Sequence, residues 1–127
     1  MFSHVMLGVE DLEKSKVFYD AVLGALGYSE GVMDPKGRYF YFSPTGVFGI
    51  TMPINGEPAT HGNGSTIGFA ASSPELADAF HEAGIENGGT TCEEPPGVRE
   101  SSIANLYLAY LRDPSGNKIC ATHRLPN

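Results

Sequence analysis

The stretch HVMLGVEDLEKSKVFY, residues 4–19, combines two periodicities that decide the fold. In its first six residues, Val5, Leu7 and Val9 alternate with His4, Met6 and Gly8, as the two faces of a half-buried strand do. Asp11 can then cap a helix, in which apolar residues recur at helical spacing from Phe18 onwards and which glycines end near residues 24–27. The stretch therefore predicts a strand followed by a helix.

A second stretch, TIGFAASSPELADAFH at residues 66–81, repeats this pattern at an offset of 62, since 66 − 4 = 62. Val5 then falls on Ile67 and Phe18 on Phe80, and Ser72 or Ser73 can cap the second helix, with Pro74 in its first turn. Further along, the turn sequences SPTG and DPSG align at an offset of 70, with Pro44 on Pro114. The second copy thus carries about eight extra residues, which we assign to CEEPPGVRES at residues 92–101.

The repeat predicts one α+β domain over residues 1–127, made of two tandem βαβββ modules. Module 1 covers about residues 1–54, a Gly/Pro-rich linker about 55–64, and module 2 about 65–124. A four-stranded sheet with one helix leaves one face bare, so the two modules should associate into a cup-shaped mixed sheet with the helices on its outer face. The inside of the cup is the expected ligand site.

Composition narrows the function classes. A net charge of −7 disfavours nucleic acid as a partner. No apolar run approaches the roughly 20 residues of a membrane helix, and no leader is evident, so we expect a soluble, cytoplasmic protein without a membrane partner. The two cysteines, Cys92 and Cys120, form no short-spaced metal motif and are expected to be reduced thiols.

The two copies, with HVMLGVEDLEKSKVFYDAVLGALGY near the start and YLRDPSGNKI near the end, resemble the vicinal oxygen chelate superfamily over essentially the whole chain. That superfamily includes glyoxalase I, extradiol dioxygenases, methylmalonyl-CoA epimerase, fosfomycin-resistance enzymes and bleomycin-binding proteins. The linker is also similar to that of a bacterial glyoxalase-like subgroup of unassigned substrate. The resemblance implies a homodimer and a small-molecule ligand.

The resemblance also implies a divalent metal held from the first and last strand of each module. The corresponding slots, which usually hold His, Glu or Gln, are here His4, Ile50, Thr66 and Cys120. Only His4 matches, and a protein metal site normally needs three or more ligands. We therefore expect no cofactor, with a divalent metal held by other residues as the alternative.

Two residues are candidates for catalysis, and each has a plainer interpretation. His4 can act as a general base or bind a ligand oxygen, or be structural. Cys120 can be a nucleophile, or a small semi-buried residue. Arg99, in the inserted loop, can bind a carboxylate or phosphate or be a solvated charge. The predicted ligand-binding residues are Thr66, Ile50, Phe48, Met6, Arg99 and Tyr107.

Two functions remain open at this point. The first is a binding protein that takes up a small, partly hydrophobic molecule in a cup with a degenerate metal site. The second is a glyoxalase-like lyase or isomerase that uses a metal or metal-independent acid/base chemistry. Extradiol dioxygenation is disfavoured. The resemblance implies that extradiol dioxygenases hold iron with two His and a Glu, and only one His is in place here.

Overall fold

The computed structural model describes residues 1–126. The first half contains β1 (His4–Gly8), α1 (Leu12–Ala25), β2 (Val32–Met33), β3 (Tyr39–Ser43) and β4 (Gly46–Thr51). The second half contains β5 (Ile67–Ala70), α2 (Pro74–Glu86), β6 (Thr90–Thr91), β7 (Gly97–Arg99), β8 (Leu106–Arg112) and β9 (Lys118–Arg124). Residues 52–66, between the halves, contain no helix or strand.

Both predicted helix starts are confirmed. The Asp11 carboxylate accepts a hydrogen bond from the Lys14 backbone N–H at 3.0 Å and so caps α1. The Ser73 hydroxyl accepts one from the Leu76 N–H at 3.2 Å, with Pro74 in the first turn of α2. Each cap satisfies a backbone donor that the helix itself cannot use.

The strands form two mixed sheets that do not close into a barrel. The first has the order β1-β4-β3-β2, and the second has the order β5-β9-β8-β6, with β7 also paired to β8. In each sheet the first and last strands of the half run parallel, and the other pairs are antiparallel. The predicted α+β fold with one helix per half is confirmed, and the inserted stretch at residues 92–101 contributes the extra strand β7.

Both helices pack on one face of the sheets, and aromatic rings connect them across the core. The Tyr19 ring of α1 lies 4.9 Å from the Phe48 ring, which lies 5.0 Å from Phe69, and Phe69 lies 6.2 Å from the Phe80 ring of α2. The opposite face of both sheets carries no helix, and we call it the open face. The residues that strand alternation assigns to it include His4, Met6, Val32, Phe40, Phe42, Val47 and Gly49 in the first sheet, and Gly68, Ala70, Arg99, Leu106, Leu108, Tyr110, Arg112, Lys118, Cys120, Thr122 and Arg124 in the second.

The turn DPSGN, residues 113–117, joins the second half of the chain to the first through hydrogen bonds. The Tyr19 hydroxyl donates to Asp113 Oδ2 at 2.6 Å, and Asn117 Nδ2 donates to the Gly8 carbonyl at 2.9 Å. The Ser115 hydroxyl accepts from the Glu10 N–H at 2.9 Å. These contacts, together with packing between α1 and α2, hold the two halves together.

Candidate functional site

A seam separates the two sheets where the edges of β1 and β5 face each other. Within residues 1–126, no backbone hydrogen bond joins these two strands. One cavity of about 360 Å³, the seam cavity, lies at the His4 end of β1, and a second of about 300 Å³ lies at the Gly8 end. Val5 and Ile67 border both cavities. The two cavities are therefore adjacent along the seam, and the volume of each is in the range of small-molecule sites.

The seam cavity is lined mostly by apolar side chains, with the His4 imidazole and the hydroxyls of Ser3, Ser43 and Thr45 as polar groups. Its lining includes His4, Leu23, Tyr28, Tyr41, Phe42, Phe48, Gly68, Phe69 and Ala70. His4 is exposed, and its Nδ1 lies 2.7 Å from the Ser3 hydroxyl. The serine fixes one ring nitrogen, so Nε2 remains available to a ligand or a transferable proton.

Of the predicted ligand-binding residues, Phe48 and Ile50 lie on the core side of the first sheet. Ile50 pairs with Leu7 rather than with His4, and it is completely buried. Phe48 pairs with Val5 and borders the seam cavity from the helix side. His4 and Phe48 are thus brought to the same cavity, whereas Ile50 is a core residue.

Ile50 lies on the core side because the turns before the last strands of the two halves differ in length by one residue. Val5 pairs with Phe48 in the first sheet, and its repeat equivalent Ile67 pairs with Ile119 in the second. The last strands are therefore related by an offset of 71, since 119 − 48 = 71, although the turns before them align at 70. A shift of one residue moves a side chain to the other face of a sheet. The structural equivalent of Cys120 is Gly49, on the open face.

Cys120 lies on the open face but is only 5% exposed. Its thiol lies 3.4 Å from the Thr122 hydroxyl. Burial raises the pKa of Cys120, so the thiol is protonated at neutral pH. This environment is typical of a small packed residue, and it does not activate the sulfur as a nucleophile.

The remaining predicted residues are spread along the seam and the second sheet. Met6 and Thr66 line the second cavity. Arg99 lies in β7, where its Nη2 donates to the carbonyl oxygens of Glu94 and Pro95, both at 3.0 Å. Tyr107 points to the helix side, and its hydroxyl donates to Asp78 Oδ1 at 2.6 Å. His4, Met6, Thr66, Cys120 and Arg99 therefore do not converge on one point.

Two other tyrosines of the sheets donate hydrogen bonds to side chains of α1. The Tyr39 hydroxyl donates to Glu13 at 2.7 Å, and the Tyr41 hydroxyl donates to Asp20 at 2.8 Å. Burial and then the Asp20 carboxylate raise the pKa of Tyr41 well above its ordinary value. These tyrosines fix β3 to α1 rather than present a hydroxyl to the open face.

The donor set on the open face does not fit a divalent metal. His4 pairs with Val47, and Met6 with Gly49, so the strand beside His4 offers no ligand side chain. Across residues 1–126, no group of three or more His, Cys, Asp or Glu side chains is placed to hold a metal ion. A catalytic zinc normally has three protein ligands, and hard cations require carboxylate oxygens.

Comparison with known protein families and solved structures agrees with the observed fold. The sequence model of the glyoxalase/bleomycin resistance protein/dioxygenase superfamily matches residues 1–121. The chain belongs to this superfamily. The resemblance inferred from the sequence alone is thereby confirmed.

Solved structures of this superfamily are similar along the whole chain. A glyoxalase/bleomycin resistance protein from Albidiferax ferrireducens T118 is 72% identical, with 98% of this chain and 99% of that chain covered and a TM-score of 0.95. A glyoxalase/bleomycin resistance protein/dioxygenase family enzyme from Burkholderia phytofirmans PsJN is 18% identical, with coverages of 97% and 98% and a TM-score of 0.72, and shares the fold. No protein of curated function is similar enough in sequence to count as a match.

Sequence reasoning did not single out Arg124. This residue follows Cys120 and Thr122 on the open face of β9, at the end of the strand nearest the seam cavity. The available signal was its spacing in KICATHR, because a residue four positions after Cys120 in a strand lies on the same face as Cys120.

Among the described residues, no helix is long and apolar enough to cross a membrane.

Proposed function

We propose that this superfamily member binds a small, partly hydrophobic molecule in the seam cavity without a metal ion. The observation that carries the proposal is the cavity of about 360 Å³, walled by aromatic and aliphatic side chains and bordered by His4. Apolar walls supply affinity, and a small number of polar groups, His4 among them, fix orientation. The side chains of the open face do not fit a divalent metal, which supports binding without one.

A lyase or isomerase that works by acid/base chemistry is the second candidate. It is favoured by the 2.7 Å contact between Ser3 and His4, which orients the imidazole and leaves Nε2 to exchange a proton with a bound substrate. Under this alternative, His4→Ala would abolish turnover, whereas binding of an apolar probe would fall only slightly.

The binding proposal is tested with N-phenyl-1-naphthylamine, a neutral apolar dye whose fluorescence rises in apolar sites. The native chain should bind it, and Ala70→Leu, which places a larger side chain on the cavity lining, should weaken binding at least fivefold. Glu82→Leu adds the same side chain to an exposed position of α2 and should leave binding unchanged. Dye binding that Ala70→Leu does not weaken would refute the seam cavity as the site.

Metal content is measured separately by elemental mass spectrometry on untagged protein exposed in turn to zinc, nickel, manganese and iron. We expect far less than one equivalent of each metal. One equivalent that is lost in His4→Ala would contradict the metal-free proposal and would direct attention to glyoxalase-type assays.

We also propose that the chain forms a homodimer through the open face of the first sheet. Val32 and Phe42 on that face are 56% and 60% exposed, and Phe40 packs beside Phe42 with ring centroids 6.4 Å apart. Exposed apolar clusters of this kind are typical of interaction surfaces. In sedimentation, Phe42→Asp should yield monomers, whereas Val17→Asp, at a position of α1 that is 57% exposed, should leave the dimer intact.

The cytoplasm is the compartment that we propose for this protein. Cys92 and Cys120 are both free thiols in the structure, as is usual for proteins of a reducing compartment.

A further inference from the structure

Two arginines lie on the open face at the end of the second sheet that borders the seam cavity. Arg99 of β7 and Arg124 of β9 both pair with Leu106 of β8, one on each side. Residues that are paired across strands project from the same face, and adjacent strands lie about 4.8 Å apart. The two arginine Cα atoms are therefore about 10 Å apart, with Leu106 between them.

Neither guanidinium has a counter-charge in residues 1–126. The ion pairs of this part of the chain join Lys16 to Asp20, Lys16 to Glu30 and Lys118 to Glu93. Glu100 follows Arg99 in the chain and pairs with neither arginine. The charge of each guanidinium is therefore available to an external anion.

Arg99 is held in place before any ligand arrives. Its Nη2 donates to the carbonyl oxygens of Glu94 and Pro95, so the side chain has already lost much of its rotational freedom. A guanidinium has five N–H donors, and those on Nε and Nη1 are not used in these two bonds. A fixed guanidinium loses less entropy on binding an oxyanion than a mobile one.

Arg124 lies close to the seam cavity. Ala70, which lines the cavity, pairs with Thr122, and Arg124 is the next residue of β9 on the same face. Two residues along a strand span about 6.7 Å. The exposed Arg124 side chain can therefore cover the distance between the cavity and Arg99.

From this arrangement we infer that the ligand of the seam cavity is an amphipathic oxyanion. Its apolar body occupies the seam cavity, and its carboxylate or phosphate head group is bound by Arg124 and Arg99. The inference rests on the proposed function and adds the charge of the ligand. It also gives a role to two of the eight basic residues of a chain whose net charge is −7.

The test compares two dyes that share their aromatic rings. 8-Anilinonaphthalene-1-sulfonate carries an oxyanion, and N-phenyl-1-naphthylamine lacks it. Fluorescence titration should show that Arg124→Gln weakens the sulfonate dye about tenfold, the usual loss for a charge-assisted hydrogen bond, and changes the neutral dye less than twofold. Arg99→Gln should act in the same direction. Lys36→Gln removes one charge from an exposed turn and should change neither dye.

The outcomes separate the inference from the proposed function. If both arginine variants bind the sulfonate dye within twofold of the native chain while Ala70→Leu still blocks the neutral dye, the inference is overturned and the proposed function stands. If Ala70→Leu affects neither dye, the proposed function fails, and the inference fails with it. Arg124 makes no hydrogen bond within residues 1–126 through its side chain, so Arg124→Gln should keep the native melting temperature and remain interpretable.

Discussion

Ser15 is a buried residue of α1 whose hydroxyl has no hydrogen-bond partner within the described chain. Replacing a buried, unpaired hydroxyl by hydrogen removes a desolvation cost, and alanine is also the better helix former. We expect Ser15→Ala to raise the free energy of unfolding by about 1 kcal/mol, measured by urea denaturation.

The control for this prediction is Ser101, whose hydroxyl is fully used. It donates to the Ala104 carbonyl at 2.8 Å and accepts from the N–H groups of Ala104 and Ile103. Ser101→Ala should lower the free energy of unfolding by about 1 kcal/mol. A loss of stability in Ser15→Ala similar to that of Ser101→Ala would show that Ser15 has a partner, such as an internal water.

Single residues were predictable where alternation alone decides their face. His4 and Met6 follow directly from the pattern of HVMLGV, and both border the seam. The directions of Tyr41 and Tyr107 were not predictable, because a tyrosine suits either face of a sheet until its hydroxyl finds an acceptor. Here the acceptors are Asp20 and Asp78 on the helices.

At the level of elements, the sequence predicted the helices and their caps but not the register of the last strands. In the first half, Ser43 pairs with Gly46 across a two-residue turn. In the second half, Arg112 pairs with Lys118, so the corresponding turn is longer. Turn residues have no hydrophobic period, so an added residue in a turn cannot be detected from the pattern. It nevertheless moves every following side chain of the strand to the opposite face of the sheet.

Asp20 joins α1 to β3 and the preceding loop, and it makes this junction sensitive to pH. Burial raises the pKa of Asp20, but hydrogen bonds from the Gly31 N–H, Lys16 and Tyr41 lower it more, so the folded pKa lies below the ordinary 3.8. A depressed carboxyl pKa stabilises the fold above the unfolded pKa, and that contribution is lost as pH falls through the folded pKa.

We therefore expect Asp20→Asn to be less stable than the native chain by about 1 kcal/mol at pH 7, and the difference to shrink below about pH 4. Urea denaturation at a series of pH values measures this. Glu57→Gln, which changes an exposed carboxylate of the linker region, should track the native chain at every pH. A stability difference between Asp20→Asn and native protein that stays constant down to about pH 2 would contradict the assignment.

For the whole molecule, the sequence predicted two associated modules but not the contacts that hold them together. Those contacts are made by individual polar groups, which a hydrophobic pattern does not specify. Asn117 supplies such a contact, because its amide reaches the Gly8 carbonyl of β1 while its own N–H and side chain bind Asp113. The seam cavity owes its shape to this pairing, since its walls come from both halves.

Asn117→Ala should accordingly weaken the whole fold and the seam together. It removes the Asn117 donor from the Gly8 carbonyl and from Asp113 Oδ2, which keeps only the Tyr19 hydroxyl, at a position that is 6% exposed, so we expect the free energy of unfolding to fall by about 2 to 3 kcal/mol. Asn87→Ala also removes one amide hydrogen bond, to the Ala83 carbonyl at 2.8 Å, but within a single half of the chain.

That control should cost about 1 kcal/mol and leave binding of N-phenyl-1-naphthylamine unchanged, whereas Asn117→Ala should weaken dye binding under conditions where the chain is still folded. Amide hydrogen exchange should locate the difference, with faster exchange along β1 and β5 in Asn117→Ala only. If the two variants lost equal stability and bound the dye equally well, the turn at residues 113–117 would be an ordinary surface turn, and the width of the seam would have to be set by the aromatic core alone.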